Sequence, residues 1–203
     1  MSSSYHFVSR WRVRATVAEV HDIVSQPLEY PRWWPAVYLN ARETSMPGSE
    51  RRRVEFHTRG MLPYTLIWEA SVSERIPERI VIEATGDLEG RGVWSFSQDG
   101  DFVDVTFEWN VDVNKPFVRF MTPMLRPVFE ANHRWSMEQG EASLREELIR
   151  YRARTPEEML DAADPRGPVE VPVRLIAMGA LAVSALAGLA LLRRKTRGSQ
   201  SGS

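Results

Sequence analysis

The clearest pattern in the chain lies between residues 102 and 113. Val103, Val105, Phe107, Trp109 and Val111 alternate with Asp104, Thr106, Glu108, Asn110 and Asp112. A period of two predicts a strand with one buried and one solvated face. Runs of the same kind precede it. Residues 51–58 set Val54, Phe56 and Thr58 against Arg53, Glu55 and His57, and residues 64–76 place Tyr64, Leu66, Trp68, Ala70 and Val72 on one side. Residues 79–85 do the same with Ile80, Ile82 and Ala84, while 37–44 and 90–97, the latter carrying Trp94 and Phe96, complete the series. Residues 5–15 set Phe7, Trp11 and Val13 against Arg10, Arg12 and Arg14, with a slip near Val8-Ser9. Pro77-Glu78 and the stretch 98–101 read as hairpin turns. The alternation predicts an antiparallel sheet of about seven strands with one solvated face.

Two helical patterns flank this run. Thr16 and Glu19 form a capping box ahead of Val17, Val20, His21, Ile23 and Val24, which predicts a helix of about ten residues. Pro27, Pro31 and Pro35 then break the chain into turns around Trp33-Trp34. From 128 to 154 the positions Phe129, Asn132, Ser136, Gly140, Leu144, Leu148 and Tyr151 share one helical face, and Glu141, Arg145, Glu146, Glu147, Arg150 and Arg152 face away. Thr155, followed by Pro156, caps a further short helix, and the proline-rich stretch 164–172 is a stiff linker. Strand, short helices, six strands and a long last helix make an α+β order, not a parallel βαβ one.

The strand-plus-capped-helix opening, the run from Pro31 through Trp33-Trp34 to Val37, the Gly92–Phe96 strand and the Phe129–Asn132 and Leu144–Leu148 stretches of the last helix resemble the START-like, or SRPBCC, superfamily. The resemblance covers about residues 4–154 and is strongest to members labelled polyketide cyclase/dehydrase or lipid transport. It implies a helix-grip fold, in which the sheet wraps a long C-terminal helix with a cavity for an apolar ligand between them. It carries over no catalytic set.

The aromatic side chains are the candidates for that cavity. Trp33, Trp34, Trp68, Trp94 and Trp109 read either as wall or as plain core. Asn132 and Gly140 lie on the inner face of the long helix. Residues 115–126 read as a loop too apolar for an ordinary connection. Its Phe117, Phe120 and Met121 serve as a gate over the cavity or as core at the start of the helix. His57 is the acid/base candidate if its strand face points inward; otherwise that face is solvated. His6, His21, His57 and His133 show no metal-ligand spacing, and neither a phosphate loop nor a nucleophile elbow occurs, so no metal or cofactor is expected.

Composition changes this picture at one end. The 203 residues contain no cysteine, which excludes disulfides and thiolate chemistry, and a net charge of -1 gives no general electrostatic case for nucleic acid. Five cations, Arg174, Arg193, Arg194, Lys195 and Arg197, leave -6 on residues 1–172. Between them residues 175–192, from Leu175 to Leu192, are uncharged and include six Leu and six Ala. As a helix this run is about 27 Å long, close to the hydrocarbon core of a bilayer. It predicts a single transmembrane anchor. The expected organisation is a ligand-binding domain (1–154), a short helix and linker (155–172), a transmembrane helix (173–192) and a basic tail (193–203). Ala180, Ser184 and Gly188 recur every four residues, the spacing of a homodimer contact in lipid and also what an Ala-rich helix produces by chance. Residues 1–6 lack a signal-peptide pattern, which favours a cytoplasmic N-terminal domain, whereas the basic tail taken alone favours the opposite orientation.

Two functions follow. One is a membrane-anchored module that binds or transfers a lipid or other apolar molecule. The alternative is a cyclase- or dehydratase-like enzyme using the same cavity.

Overall fold

The structure, a computed structural model, describes residues 4–45, 52–62, 64–113 and 116–168, and over 116–126 the backbone helix alone. Seven strands form one antiparallel sheet: β1 (Ser4–Arg14), β2 (Tyr38–Glu43), β3 (Arg53–Arg59), β4 (Thr65–Ile76), β5 (Arg79–Gly86), β6 (Leu88–Asp99) and β7 (Phe102–Val113). Their order is β1-β7-β6-β5-β4-β3-β2. Strands β2 to β7 are thus a meander, and the first strand closes onto the last. Helices α1 (Val17–Val24) and α2 (Tyr30–Trp33) bridge β1 and β2, α3 (Pro116–Arg152) crosses the sheet, and α4 (Pro156–Met159) follows it. The curved sheet and long C-terminal helix are the helix-grip arrangement.

The alternation of β7 is realised as read: Val103, Val105, Phe107, Trp109, Val111 and Val113 are all buried. β1 runs in continuous register from Ser4 opposite Asp112 to Arg14 opposite Phe102. The expected slip at Val8-Ser9 is therefore absent. Ser9 faces inward because its hydroxyl meets the ring of His133 at 3.2 Å, and Val8 is left on the solvated side.

An open edge of β1 would be a template for unwanted pairing. Here α3 supplies side-chain partners instead. The Arg12 N–H donates to Glu141 (3.3 Å), and Arg145 and Arg152 donate to the carbonyls of Arg12 (3.1 Å) and Arg14 (2.9 Å).

Both capping boxes form, Thr16 with Glu19 and Thr155 with Glu158. Arg152 also donates to Glu19, and this bond with the N–H of Thr16 holds the Glu19 carboxyl down at about 2.

Two expectations for α3 are corrected. The segment expected as a loop, including Phe117, Phe120 and Met121, is the first part of the helix. Pro116 occupies the first helical position, where a missing N–H costs nothing, and Pro123 and Pro127 do not end the helix. Glu147 does not face solvent. Its side chain is 6% exposed and accepts from both terminal nitrogens of Arg32 (2.6 and 2.9 Å), with Arg150 at 3.6 Å behind it. This pairing raises the Arg32 pKa and ties α2 to α3.

Gly140 is buried under the indole of Trp34, and a Cβ there would run into that ring. The glycine allows α3 to seat on Trp34 rather than leaving space beneath the helix. Gly140→Leu should therefore lower unfolding stability by about 2–3 kcal/mol, read as a shifted urea midpoint.

The candidate span 173–192 lies outside the described residues. Among the described residues no helix is long and apolar enough to cross a membrane.

Candidate ligand-binding cavity

Between the concave face of the sheet and α3 lies a cavity of about 270 Å³. Aromatic and aliphatic side chains build its wall, and seven of the aromatic rings belong to a closed circuit. Trp34 meets Tyr38 (5.1 Å between centroids), Tyr38 meets Phe56 (5.0 Å), Phe56 meets Trp68 (4.9 Å) and Trp68 meets Trp109 (5.9 Å). Trp109 then meets Phe107 (5.6 Å), Phe107 Trp94 (4.1 Å), Trp94 Trp11 (5.2 Å), and Trp11 returns to Trp34 (5.7 Å). All of these rings except Trp11 line the cavity. Ring pairs at such distances contribute about 0.5–1.5 kcal/mol each beyond burial.

Hydrogen bonds fix the neighbouring side chains. The Trp68 indole N–H donates to Thr58 Oγ1 at 3.1 Å, and the hydroxyl of Tyr30 donates to the carbonyl of Val24 at 2.6 Å. Burial pushes the hydroxyls of Tyr30, Tyr38 and Tyr64 above their ordinary range, so all three stay neutral. Tyr38 and Tyr64 line the cavity, and neither hydroxyl has a hydrogen-bond partner among the described residues.

At one end Asn132 accepts from the N–H groups of Met61 (2.8 Å) and Leu62 (3.4 Å). It clips the β3–β4 tip to α3. Gly60 permits that approach, since a Cβ there would collide with the Asn132 amide. The other end is rimmed by Val24, Ser25, Pro27, Arg52 and Arg75.

The expected site residues therefore divide. Trp34, Trp68, Trp94, Trp109 and Asn132 stand on the wall, although the Asn132 side-chain oxygen is already committed to the tip. Trp33 is buried away from the wall, against Tyr30 and Trp34, and Gly140 is covered by Trp34. The side chains of Phe117, Phe120 and Met121 lie outside the described residues.

For His57 the solvated alternative holds. It pairs with Asn40 and Ile67 on the solvated sheet face, because Val54, Phe56 and Thr58 take the inner positions of β3.

The histidine that does reach the wall is His133. It is stacked on Phe7 (4.2 Å), and burial holds its pKa down at about 4. One helical turn beyond Phe129, its helical spacing could have revealed it. Among the described residues the wall contains no aspartate or glutamate, and no three metal-ligating side chains come together.

A largely apolar cavity rich in aromatic rings under a helix grip is a ligand-binding architecture, and the sequence carries the corresponding family profile. The family described as Polyketide cyclase / dehydrase and lipid transport matches residues 5–148. The chain belongs to this family.

Among solved structures the Zhui aromatase/cyclase of Streptomyces sp. R1128 superposes with a TM-score of 0.60 at 13% identity, covering 74% of this chain and 97% of its own. A START superfamily protein of Mycobacterium smegmatis gives 0.59 at 15% identity, with 72% and 98% covered. A protein of Thermus thermophilus gives 0.59 at 14%, with 73% and 100% covered. At these identities the likeness is one of fold. No curated protein matches by sequence. Membership of the family and the helix-grip fold support a hydrophobic ligand-binding domain.

Two outcomes test this geometry. Asn132→Ala should raise hydrogen exchange at the amides of Met61 and Leu62 about five- to tenfold, the loss expected for one local hydrogen bond. His133 should make stability fall as pH drops from about 6.5 towards 4. In that window the unfolded state takes up a proton that the folded state refuses. The Glu19 contribution is lost only below about 4.5, so melting temperatures from pH 7.5 to 5 isolate the histidine, and His133→Gln should flatten that part of the slope.

Proposed function

We propose that the protein is a membrane-anchored carrier or receptor for a compact apolar small molecule or lipid. The ligand would sit inside the aromatic circuit. The observation that carries this reading is the cavity, left unfilled by the side chains of the described residues and walled in part by Trp34, Tyr38, Phe56, Trp68, Trp94, Phe107 and Trp109. Its volume of about 270 Å³ lies just under the usual range for small-molecule pockets, roughly 300–1,000 Å³. That favours a compact ligand over a bulky one.

Burial of roughly 300 Å² of ligand surface would contribute about 7 kcal/mol. Micromolar affinity survives the ordering costs of such a site. The hydroxyls of Tyr38 and Tyr64 would orient the ligand. The absence of carboxylates among the described wall residues favours binding over general acid/base turnover.

The anchor would be the uncharged run 175–192, with the N-terminal domain on the cytoplasmic side. Tethering beside the bilayer raises the effective concentration of a membrane-derived ligand. The stripe Ala180, Ser184 and Gly188 would allow two copies to approach in the membrane.

Binding is tested on the full chain in lipid nanodiscs, with empty nanodiscs as the control. The neutral fluorophore N-phenyl-1-naphthylamine should bind at micromolar concentration. Ala70→Leu, which adds bulk to the cavity wall, should weaken it at least tenfold while shifting the melting temperature little. No uptake beyond the control would overturn the reading. Turnover of an aromatic substrate would move the assignment to an enzyme.

The anchor and its orientation are tested separately. The full chain should resist carbonate extraction from membranes, and protease added to intact cells should spare the N-terminal domain. Release into the soluble fraction, or digestion from outside, would refute the anchor or the orientation respectively.

A further inference from the structure

The wall of the cavity is electrostatically one-sided. Among the described residues it includes Arg52, Arg59 and Arg75 and no aspartate or glutamate. Arg52 is taken by a bidentate pair with Glu43 (3.0 and 3.1 Å). Arg75 is different. It donates to the hydroxyl of Ser25 at 2.7 Å and forms no ion pair among the described residues.

Arg75 reaches the cavity through an irregularity of β4. Trp68, Ala70 and Val72 face the cavity, so strict alternation would continue with Glu74 and Ile76 and turn Arg75 outward. The register instead shifts between Val72, opposite Ile82, and Glu74, opposite Val81. Ser73 is the extra residue of a β-bulge, a device that re-aims the side chains beyond it. After it Arg75 lies opposite Ile80, a buried core residue that also lines the cavity, and therefore shares its concave face. Ile76 is turned outward and is 47% exposed. The bulge thus exchanges an isoleucine for an arginine on the inner face, which lowers apolar burial and makes no ion pair among the described residues.

We infer that this rim is the acid-group subsite of the cavity, and that the ligand is an organic monoanion with an apolar body. The inference rests on the binding function proposed above. A carboxylate, sulfonate or phosphate monoester at the rim would accept from the Arg75 guanidinium in a charge-assisted bond. The Ser25 hydroxyl, now shared between Arg75 and the carbonyl of Asp22 (3.2 Å), lies within the same group of donors. The body would extend past Val54, Val72 and Ile82 into the aromatic circuit. The fixed charge favours an anion over neutral molecules of the same shape, and with no carboxylate among the described wall residues an anion meets no repulsion from them.

The test uses the full chain in nanodiscs of neutral lipid with two probes that share one body. These are N-phenyl-1-naphthylamine, which is neutral, and 1-anilinonaphthalene-8-sulfonate, the same skeleton carrying one anionic group. Binding is measured by titration calorimetry against empty nanodiscs. The sulfonate should bind about tenfold more tightly than the neutral probe. Arg75→Gln should remove that preference without changing the affinity for the neutral probe, and Ser25→Ala should reduce it. Because Arg75 follows the bulge closely, folding of the variants is checked by their unchanged uptake of the neutral probe. Equal affinity for the two probes, or a preference that survives Arg75→Gln, overturns the acid-group subsite and leaves the cavity reading intact. Failure of both probes to bind overturns the binding function itself.

Discussion

An unfilled space inside a protein is a standing cost, and the architecture here is organised around bearing it. A cavity of about 270 Å³ leaves the described residues that line it without packing partners on one side, a loss that grows with its volume. The surrounding side chains would recover that energy by collapsing inward if they could. Rings that brace one another prevent it. Each aromatic side chain of the circuit is held by a neighbour on either side, and Thr58 pins the indole of Trp68. Short aliphatic residues in the same positions would have had the freedom to close the space.

The brace depends in turn on where α3 sits. Trp34 closes the circuit between Tyr38 and Trp11, and it can do so only because Gly140 lets the helix rest on the indole. The same junction is secured from outside by Arg32 and Arg150 around the buried carboxylate of Glu147. A buried ion pair is seldom a net source of stability, but it tolerates few alternative geometries. At this junction geometry is what matters, since a small rotation of α2 would open the ring of aromatics. Further along, the chain stays packed on α3 through Ala163, whose N–H donates to Glu146 (2.8 Å) and whose carbonyl accepts from Arg150.

Legibility in the sequence follows the range of the interaction that decides each feature. β7, the capping box at Thr16 and the cap at Thr155 depend on neighbours a few residues away, and the sequence pattern identifies them directly. The aromatic wall is legible as a set of candidates, because inward positions of Trp68, Trp94 and Trp109 follow from strand parity. Contacts across the fold are not legible. Nothing local distinguishes Trp33 from Trp34, yet one is packing and the other is wall. Asn132 looks like a ligand contact until the β3–β4 tip is seen to occupy it. Glu147 reads as a solvated carboxylate because Arg32, its partner, lies 115 residues away. The bulge in β4 defeats pattern reading outright, since a single extra residue reverses the parity on which the reading depends. The helical start of α3 escapes for the opposite reason: prolines argue locally for a break that the backbone does not make.

The closure of the sheet by β1 on β7 has a consequence in time. Ser4 pairs with Asp112 and Arg14 with Phe102, so the first strand of the sheet has no partner until the last strand of the sheet has been made. Its remaining edge is satisfied later still, by Glu141, Arg145 and Arg152. Such long-range closure makes the folding nucleus entropically expensive and slow to form. Until then an aromatic strand, with Tyr5, Phe7 and Trp11 in register to stick, is exposed to other chains. The arginines at positions 10, 12 and 14 that punctuate it are the residues that keep the nascent segment apart from its own kind.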